Sequence, residues 1–304
     1  MNVSYQTLII LSLFPALGLP AQEEPSWWKA FETFQWINEA PEQMHPSLVH
    51  LTFYSEANDT EVGFYMRLPR GYDSPGNKKK SYPVIYYLHG GRPGSEVKGR
   101  GGFNNMLPML KSEDYPPVFI VLVNGGKLSH YEYDEYKGVS AFLELVDYVD
   151  KTYPTITDRS GRVVMGSSQG GRGTARYIFK FPELFGTAVS LAGGHQHEKR
   201  IHENEGVESE YLTIPDAKNN VFNNALVYAA RDNAPEVNLM VVIGNKDANY
   251  VGNLEWSIHL QNLNIKHELV VVPGTGHGID WSIENTDTRI YNFITDSLNH
   301  YSNQ

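Results

Sequence analysis

The chain has 304 residues, of which 41% are hydrophobic and 20% are charged, as in an ordinary globular protein with one large core. The formal net charge of −10 argues against nucleic acid or an anionic membrane surface as a partner. The sequence has no cysteine, which excludes disulfides, thiolate metal sites and a cysteine nucleophile.

The first residues carry an apolar run over positions 8–19, which is too short to cross a membrane. Small residues follow this run, so cleavage after Ala21 is expected. The first seven residues contain neither Lys nor Arg, and an apolar N-terminal element of the fold is therefore the alternative. We expect a signal peptide over 1–21, no stable membrane anchor, and a secreted or periplasmic protein.

The next segment, 22–47, is an aromatic-rich N-terminal extension. It is expected to pack over the domain surface or to border the mouth of an active site. One large folded domain is predicted over 48–304. It opens with two strand-like runs, Leu48–Ser55 and Val62–Leu68, which are expected to form an antiparallel pair.

A buried strand is predicted over Pro83–Leu88, and His89, Gly90 and Gly91 follow it at once. A loop after an early central strand can offer a backbone N–H to an oxyanion, provided that a nucleophile follows later in the chain. Gly91 is the predicted donor, and Gly90 allows the backbone to approach. A simple turn is the alternative interpretation.

Strand and helix patterns then alternate along the chain. The next predicted elements are a helix, a strand and a helix: Asn105–Leu110, Val118–Val123 and Val139–Tyr153. Such alternation predicts an α/β fold with a mostly parallel central sheet and helices on both faces.

The central motif is Gly-x-Ser-x-Gly, with Ser168 between Gly166 and Gly170. It is flanked by a predicted strand and a predicted helix, Arg162–Met165 and Gly173–Lys180. A nucleophilic serine on a sharp strand-to-helix turn requires small neighbours, and the helix N-terminus favours developing negative charge. Ser168 is thus the predicted nucleophile, and the N–H of Gln169 is the other predicted oxyanion donor. A glycine-rich turn without chemistry is the alternative.

Another buried strand is predicted over Gly186–Ala192, and the acidic segment His195–Asp216 then interrupts the alternation. Lids and substrate loops usually occupy such positions. Its histidines His195, His197 and His202 could suggest a metal site. No paired second set of ligands accompanies them, and neither a metal nor a cofactor is expected.

The acid of a catalytic triad should follow a later strand. The run Val237–Ile243 is of strand length, and Asp247 follows it closely, where it could hold an imidazole in one tautomer. An Asx turn is the alternative reading of this position. Asp232, at a helical end, and Asp280, after the last candidate histidine, are weaker candidates for the acid.

The histidine should follow one more strand, which is predicted over His267–Val272. His277 lies in the glycine-rich loop after it, and this position, rather than its residue type, singles it out among 11 histidines. A final helix is predicted over Asp287–Leu298.

Taken together, these motifs resemble the α/β-hydrolase superfamily, and more narrowly its esterase D-like group, which includes feruloyl and acetyl-xylan esterases of carbohydrate esterase family one. The resemblance covers about position 48 to the C-terminus and rests on four stretches: Leu68–Asp73, Tyr82–Gly90, Gly166–Gly171 and Phe181–Gly186. It implies an α/β-hydrolase fold, with an inserted acidic segment here, and a triad of Ser168, Asp247 and His277. Two residues depart from the family's pattern: Gln169, where the family often has Met, and Arg172. These departures bear on which ester is the substrate and not on the triad.

The expected function is therefore that of a secreted serine esterase that hydrolyses carboxylic esters, with feruloyl or acetyl esters on polysaccharides as its substrates. An acyltransferase or a peptidase could use the same triad. A catalytically silent carbohydrate-binding accessory protein is the alternative of another class. The expected partner is a small-molecule or polysaccharide ester.

Overall fold

The computed structural model describes residues 32–133, 135–196, 220–278, 286 and 288–302. The predicted signal peptide, the first part of the aromatic extension, Asp280 and nearly all of the predicted acidic insertion lie outside the described residues.

The fold is built on one large sheet and a short hairpin. The strands are β1 (Val49–Ser55), β2 (Thr60–Arg67), β3 (Val84–Leu88), β4 (Phe119–Val123), β5 (Glu132–Tyr133), β6 (Tyr136–Lys137), β7 (Arg162–Ser167), β8 (Thr187–Leu191), β9 (Asn238–Gly244) and β10 (Glu268–Val272). The helices are α1 (Arg100–Lys111), α2 (Gly138–Thr152), α3 (Gln169–Lys180), α4 (Val221–Ala229), α5 (Tyr250–Asn262) and α6 (Arg289–Ser302).

The large sheet has eight strands in the order β1-β2-β4-β3-β7-β8-β9-β10. Every neighbouring pair from β4 to β10 is parallel, whereas β2 pairs antiparallel with both β1 and β4. All residues of β3, β4, β7 and β8 are buried. Strands covered on both faces need apolar side chains throughout, which explains the continuous hydrophobic runs in the sequence.

Helices cover both faces of the sheet. Along β3, Val84, Tyr86 and Leu88 point into one core, which α2, α3, α4 and α5 cover. Ile85 and Tyr87 point into the opposite core, which α1 and α6 cover. The predicted α/β architecture is confirmed, and strand alternation produces the two cores from single apolar runs.

The predicted helix start at Gly173 is wrong, because α3 already begins at Gln169. The glycines in its first turns disfavour a helix by intrinsic propensity. The close approach of neighbouring backbone requires them: a Cβ on Gly171 would lie 2.6 Å from the Leu191 carbonyl oxygen. Tertiary packing thus outweighs local propensity here.

Helix α5 and the hairpin β5–β6 were not predicted. In α5, Val251 and Ile258 are 62% and 56% exposed, whereas Gly252, Asn253 and Ser257 are buried. The helix therefore lacks the apolar stripe by which an amphipathic helix is recognised.

The described part of the aromatic extension lies against the sheet. The carbonyl of Trp36 accepts hydrogen bonds from the Gly63 N–H at 2.7 Å and from Asn124 Nδ2 at 3.2 Å. Asn38 donates from its backbone and its side chain to the fully buried carboxylate of Glu96, at 2.8 and 2.9 Å. This segment is therefore an integral part of the fold. Within the described residues, no helix has both the length and the apolar character that crossing a bilayer requires.

Candidate active site

Ser168 lies on the turn between β7 and α3, at the carboxyl edge of the sheet. Its backbone has φ 55° and ψ −111°, in a region that residues with a side chain rarely occupy. The turn is held by a hydrogen bond of 2.8 Å from the Ser168 N–H to the Leu191 carbonyl. Such strain in a non-glycine residue is typical of functional sites, where the surroundings maintain it.

The two elbow glycines are required by close backbone contacts. A Cβ on Gly170 would lie 2.0 Å from the carbonyl oxygen of Leu88, at the end of β3. A Cβ on Gly166 would lie 2.7 Å from the same oxygen. Both contacts involve backbone atoms that cannot move aside, so the sharp turn excludes any larger residue.

Asp247 and His277 lie on loops after the adjacent parallel strands β9 and β10. The two loops are bonded to each other: the Lys246 N–H donates to the Thr275 carbonyl at 2.8 Å, and the Gly274 N–H donates to Asn245 Oδ1 at 2.7 Å. The carboxyl ends of parallel strands meet at one edge, which brings residues from distant parts of the chain together.

Ser168, His277 and Asp247 form one hydrogen-bonded line. The Ser168 hydroxyl contacts His277 Nε2 at 3.0 Å, and His277 Nδ1 lies 2.9 Å from Asp247 Oδ2. The carboxylate only accepts hydrogen bonds when ionised, so Nδ1 carries the proton and Nε2 is left to accept from the serine. The Asp247 side chain is fully buried, whereas the His277 ring is 48% exposed.

Asp232, the rival acid on the described chain, is exposed just after α4 and does not contact His277. Asp280 lies outside the described residues.

Asn249 contacts Asp247, the candidate acid, and was not predicted from the sequence. Its N–H donates to Asp247 Oδ1 at 2.8 Å, and its side chain donates to the Ala192 carbonyl at 3.2 Å. Asn249 Oδ1 accepts from Gln196 Nε2 at 2.9 Å. The residue thus ties the acid loop to the loop after β8. An Asn shortly after a candidate acid has no distinctive pattern, and only the fold reveals these contacts.

The two predicted oxyanion donors flank Ser168. Gln169 is the first residue of α3, where helix N–H groups have no intrahelical partner. Gly91 lies in the loop after β3 with φ 71°, which glycine tolerates. The loop is close to Ser168, because a Cβ on Gly90 would lie 3.3 Å from Ser168 Cβ. Neither the Gly91 nor the Gln169 N–H donates a hydrogen bond to another described residue.

Comparison with known proteins identifies the family. The family described as "Putative esterase" matches residues 55–281, about three quarters of the chain. The chain belongs to this esterase family. The match includes β3, the serine elbow, and the loops that carry Asp247 and His277.

The relatives are distant. The chain is 26% identical over 186 residues to an endo-1,4-beta-xylanase/feruloyl esterase of Xylanibacter ruminicola, a match covering 58% of this chain and 25% of that protein. The chain therefore spans a quarter of the length of this curated relative.

Solved structures give the fold. A ferulic acid esterase superposes with a TM-score of 0.65 at 22% identity, over 82% of this chain and 98% of that chain. An S-formylglutathione hydrolase from Staphylococcus aureus superposes with a TM-score of 0.64 at 18% identity, over 84% of this chain and 99% of that chain. Together with the sheet order, they show an α/β-hydrolase fold for this member of the esterase family.

His195 is the one described histidine of the candidate metal set. It is buried against the Trp256 ring, with ring centroids 4.2 Å apart. Neither ring nitrogen has a hydrogen-bond partner among the described residues. His197 and His202 lie outside them, and the described residues contain no group of His, Asp or Glu side chains arranged to hold a metal.

Buried imidazoles should make stability depend on pH. Burial, with smaller effects from Arg172 and Arg176, lowers the pKa of His195 from 6.5 to about 3. Burial also lowers the pKa of His89 to about 4, with Lys98 adding to the effect and the bond to the Gly90 carbonyl opposing it. The unfolded chain therefore binds protons that the folded protein excludes once the pH falls below about 6.5.

We expect the free energy of unfolding to decrease as the pH falls from 7.5 to 5, by about 2 kcal/mol for each such imidazole. Urea unfolding at the two pH values measures this decrease. In His195→Phe this decrease in the free energy of unfolding should be smaller by about 2 kcal/mol, the contribution of one imidazole, whatever the absolute stability of the variant. Equal decreases in the parent and the variant would show that His195 is not held neutral by burial.

Proposed function

We propose that this protein is a serine hydrolase of carboxylic esters, with Ser168 as nucleophile, His277 as general base and acid, and Asp247 as the residue that orients the imidazole. The observation that carries the proposal is the line from Ser168 Oγ through His277 to Asp247, with contacts of 3.0 and 2.9 Å. The chain's membership of the esterase family supports the same chemistry.

In the acylation step, the Ser168 oxygen attacks the ester carbonyl carbon while its proton passes to His277 Nε2. The buried Asp247 carboxylate stabilises the imidazolium that forms. The tetrahedral intermediate then expels the alcohol, which takes the proton from His277. Water then attacks the acyl carbon and gives a proton to His277 Nε2. The second tetrahedral intermediate expels Ser168 Oγ, which takes that proton back from His277, and the acid is released. The exposed edge of the His277 ring lets water reach the acyl-enzyme.

The negative oxygen of the intermediate needs donors that are already oriented. In this proposal the N–H groups of Gly91 and Gln169 supply them. Both groups lack a hydrogen-bond partner on the described chain, so neither has to break a bond before it binds the oxyanion. The position of Gln169 at the start of α3 adds the favourable potential of a helix N-terminus.

The proposed substrates are feruloyl or acetyl esters on polysaccharides, and the proposed location is outside the cytoplasm, after removal of residues 1–21. The name of the Xylanibacter relative, a xylanase and feruloyl esterase, supports this substrate class. The ferulic acid esterase that shares the fold supports it as well. The net charge of −10 is compatible with an uncharged substrate.

Turnover of four substrates by the purified protein tests the proposal: p-nitrophenyl acetate, methyl ferulate, acetylated xylan and a peptide amide. We expect hydrolysis of p-nitrophenyl acetate and of at least one of the two natural esters. Release of ferulate without release of acetate from xylan identifies a feruloyl esterase, and the reverse identifies an acetyl esterase.

Two other outcomes would contradict the proposal. Hydrolysis of the amide at a rate comparable to that of the esters would identify a peptidase. No turnover of any ester, together with retention on a xylan column, would identify a carbohydrate-binding accessory protein. Ser168→Ala serves as the blank for every substrate, because it removes only the nucleophilic oxygen.

A further inference from the structure

The side chain of His89 contacts the backbone of its own loop. Its Nδ1 lies 2.9 Å from the carbonyl oxygen of Gly90, the next residue. Its Nε2 lies 3.3 Å from the Ser95 N–H and 3.2 Å from the Gly125 N–H. The ring is fully buried at the end of β3. One imidazole therefore contacts three backbone groups around the loop that carries Gly91.

These partners determine which nitrogen carries the proton. Both groups at Nε2 are N–H donors, so Nε2 must be the unprotonated acceptor. The group at Nδ1 is a carbonyl oxygen, so Nδ1 carries the hydrogen and donates it to Gly90. The neutral Nδ1–H tautomer satisfies all three contacts, and the protonated ring would lose both bonds at Nε2.

The Gly90 carbonyl belongs to the same planar peptide group as the Gly91 N–H. In a trans peptide the two point in opposite directions, so a hydrogen bond that fixes the carbonyl also fixes the direction of the N–H. From this geometry we propose that His89 is a positioning residue, which orients the Gly91 N–H toward the oxyanion by holding the Gly90 carbonyl. This inference rests on the proposed function, because it takes Gly91 as an oxyanion donor.

The next peptide group is held from the other side. Ser129 Oγ donates to the Gly91 carbonyl at 2.7 Å, and Ser129 is fully buried. Contacts to the carbonyls of Gly90 and Gly91 thus restrain the peptide planes on both sides of the Gly91 Cα. Gly91, with its positive φ, has the widest range of backbone conformations and needs such restraint. Ser129 therefore acts as a second positioning residue.

His130 supports this arrangement. Its Nε2 lies 3.0 Å from the His89 carbonyl, and the two ring centroids are 4.6 Å apart. The carbonyl of His130 in turn accepts from Arg176 Nη2 at 2.7 Å and from the Tyr177 hydroxyl at 3.1 Å, both on α3. The same helix that begins at the nucleophile therefore anchors the loop that carries Gly91. This connection fixes the two proposed donors relative to each other.

Two substitutions of His89 distinguish two roles: orienting the Gly90 carbonyl through Nδ1, and anchoring the loop through the bonds of Nε2 with Ser95 and Gly125. Asparagine places an N–H group where Nδ1 was and leaves nothing at the Nε2 position. Glutamine places an oxygen where Nε2 was and leaves nothing at the Nδ1 position. We expect His89→Gln to lower kcat and kcat/KM together by roughly ten- to a hundredfold, since removing an oxyanion donor outright costs about 10²–10³. His89→Asn should lose clearly less activity than His89→Gln.

If His89 only anchored the loop, His89→Gln would be more active than His89→Asn, because glutamine keeps the acceptor for the Ser95 and Gly125 N–H groups. That reversed order, or parent-like turnover in His89→Gln, would overturn the inference. His259→Gln is the matched control: His259 Nε2 contacts the Phe222 carbonyl at 3.0 Å, between α5 and α4. It should leave both kinetic constants unchanged.

Labelling of Ser168 by a fluorophosphonate probe distinguishes the two possible failures. A parent protein that neither reacts with the probe nor hydrolyses esters would contradict the proposed function itself. A reactive parent with a fully active His89→Gln would contradict only the positioning role. If the His89 variants do not fold, as judged by circular dichroism, Ser129→Ala provides the test. It should lower kcat by roughly three- to tenfold at unchanged KM, and an unchanged kcat would overturn the inference.

Discussion

Replacing Ser168 by alanine should abolish ester hydrolysis while leaving the fold intact. Loss of a triad nucleophile costs on the order of a millionfold in turnover, because no other group can form the acyl-enzyme. Alanine fits the elbow, since it only removes the oxygen that contacts His277 Nε2 at 3.0 Å. Stopped assays with p-nitrophenyl acetate measure the loss, and thermal denaturation checks the fold.

Ser167→Ala is the matched control, one position earlier in the same motif. Ser167 Oγ accepts from the Tyr87 hydroxyl at 3.1 Å and lies on the buried strand β7. This variant should lose at most the stability of one buried hydrogen bond, about 1 kcal/mol, and should remain active. An inactive Ser167→Ala beside an active Ser168→Ala would mean that the elbow has been misread.

Replacing Asp247 by asparagine should lower turnover by roughly ten-thousandfold. Asparagine keeps the shape of the side chain and can still accept the Asn249 N–H at the position of Oδ1. Its amide, however, can donate to His277 Nδ1, which favours the tautomer with the proton on Nε2. That tautomer cannot accept the serine proton. Steady-state kinetics should therefore show the loss in kcat, with only a modest change in denaturation midpoint.

Asp232→Asn provides the exposed control, because Asp232 lies beyond α4 and outside the hydrogen-bonded line. It should behave nearly like the parent, and so should Asp280→Asn. A large loss of turnover in either control, together with an active Asp247→Asn, would transfer the role of the acid to that residue. The roles proposed for Ser168 and His277 would remain.

The order of the chemical groups along the chain could be predicted because each follows an apolar strand. A parallel sheet places the carboxyl ends of its strands at one edge, so Ser168, Asp247 and His277 could be assigned to one site from their positions alone. The two elbow glycines were predictable for a similar reason, since a sharp turn beside a central strand leaves no space for a Cβ.

Other parts of the site depend on contacts between segments that are distant in sequence. The sequence singles out His89 only as part of His-Gly-Gly, whereas its ring also contacts Gly125, 36 residues away. His130 and Asn249 have no local pattern at all. The hydrogen bonds of His130 arise because β3, β4 and α3 meet at one edge, and those of Asn249 arise because the loops after β8 and β9 lie side by side. No periodicity in the sequence indicates either contact.

By itself the sequence determined the fold class, the strands after which the candidate site residues lie, and the identity of the candidate nucleophile. It could do so because hydrophobic periodicity and glycine spacing reflect local sterics and burial. Only the tertiary structure decided that His277 bonds to Asp247, that the Asn249 N–H donates to Asp247, and that the His89 ring contacts the Gly90 carbonyl. His277 and Asp247 are 30 residues apart, and His89 Nε2 contacts Gly125, 36 residues away, so these contacts of about 3 Å form only when the whole sheet has packed. Asn249 and Gly90 are near Asp247 and His89 in sequence, but the surrounding packing decides which way the Asp247 and His89 side chains turn.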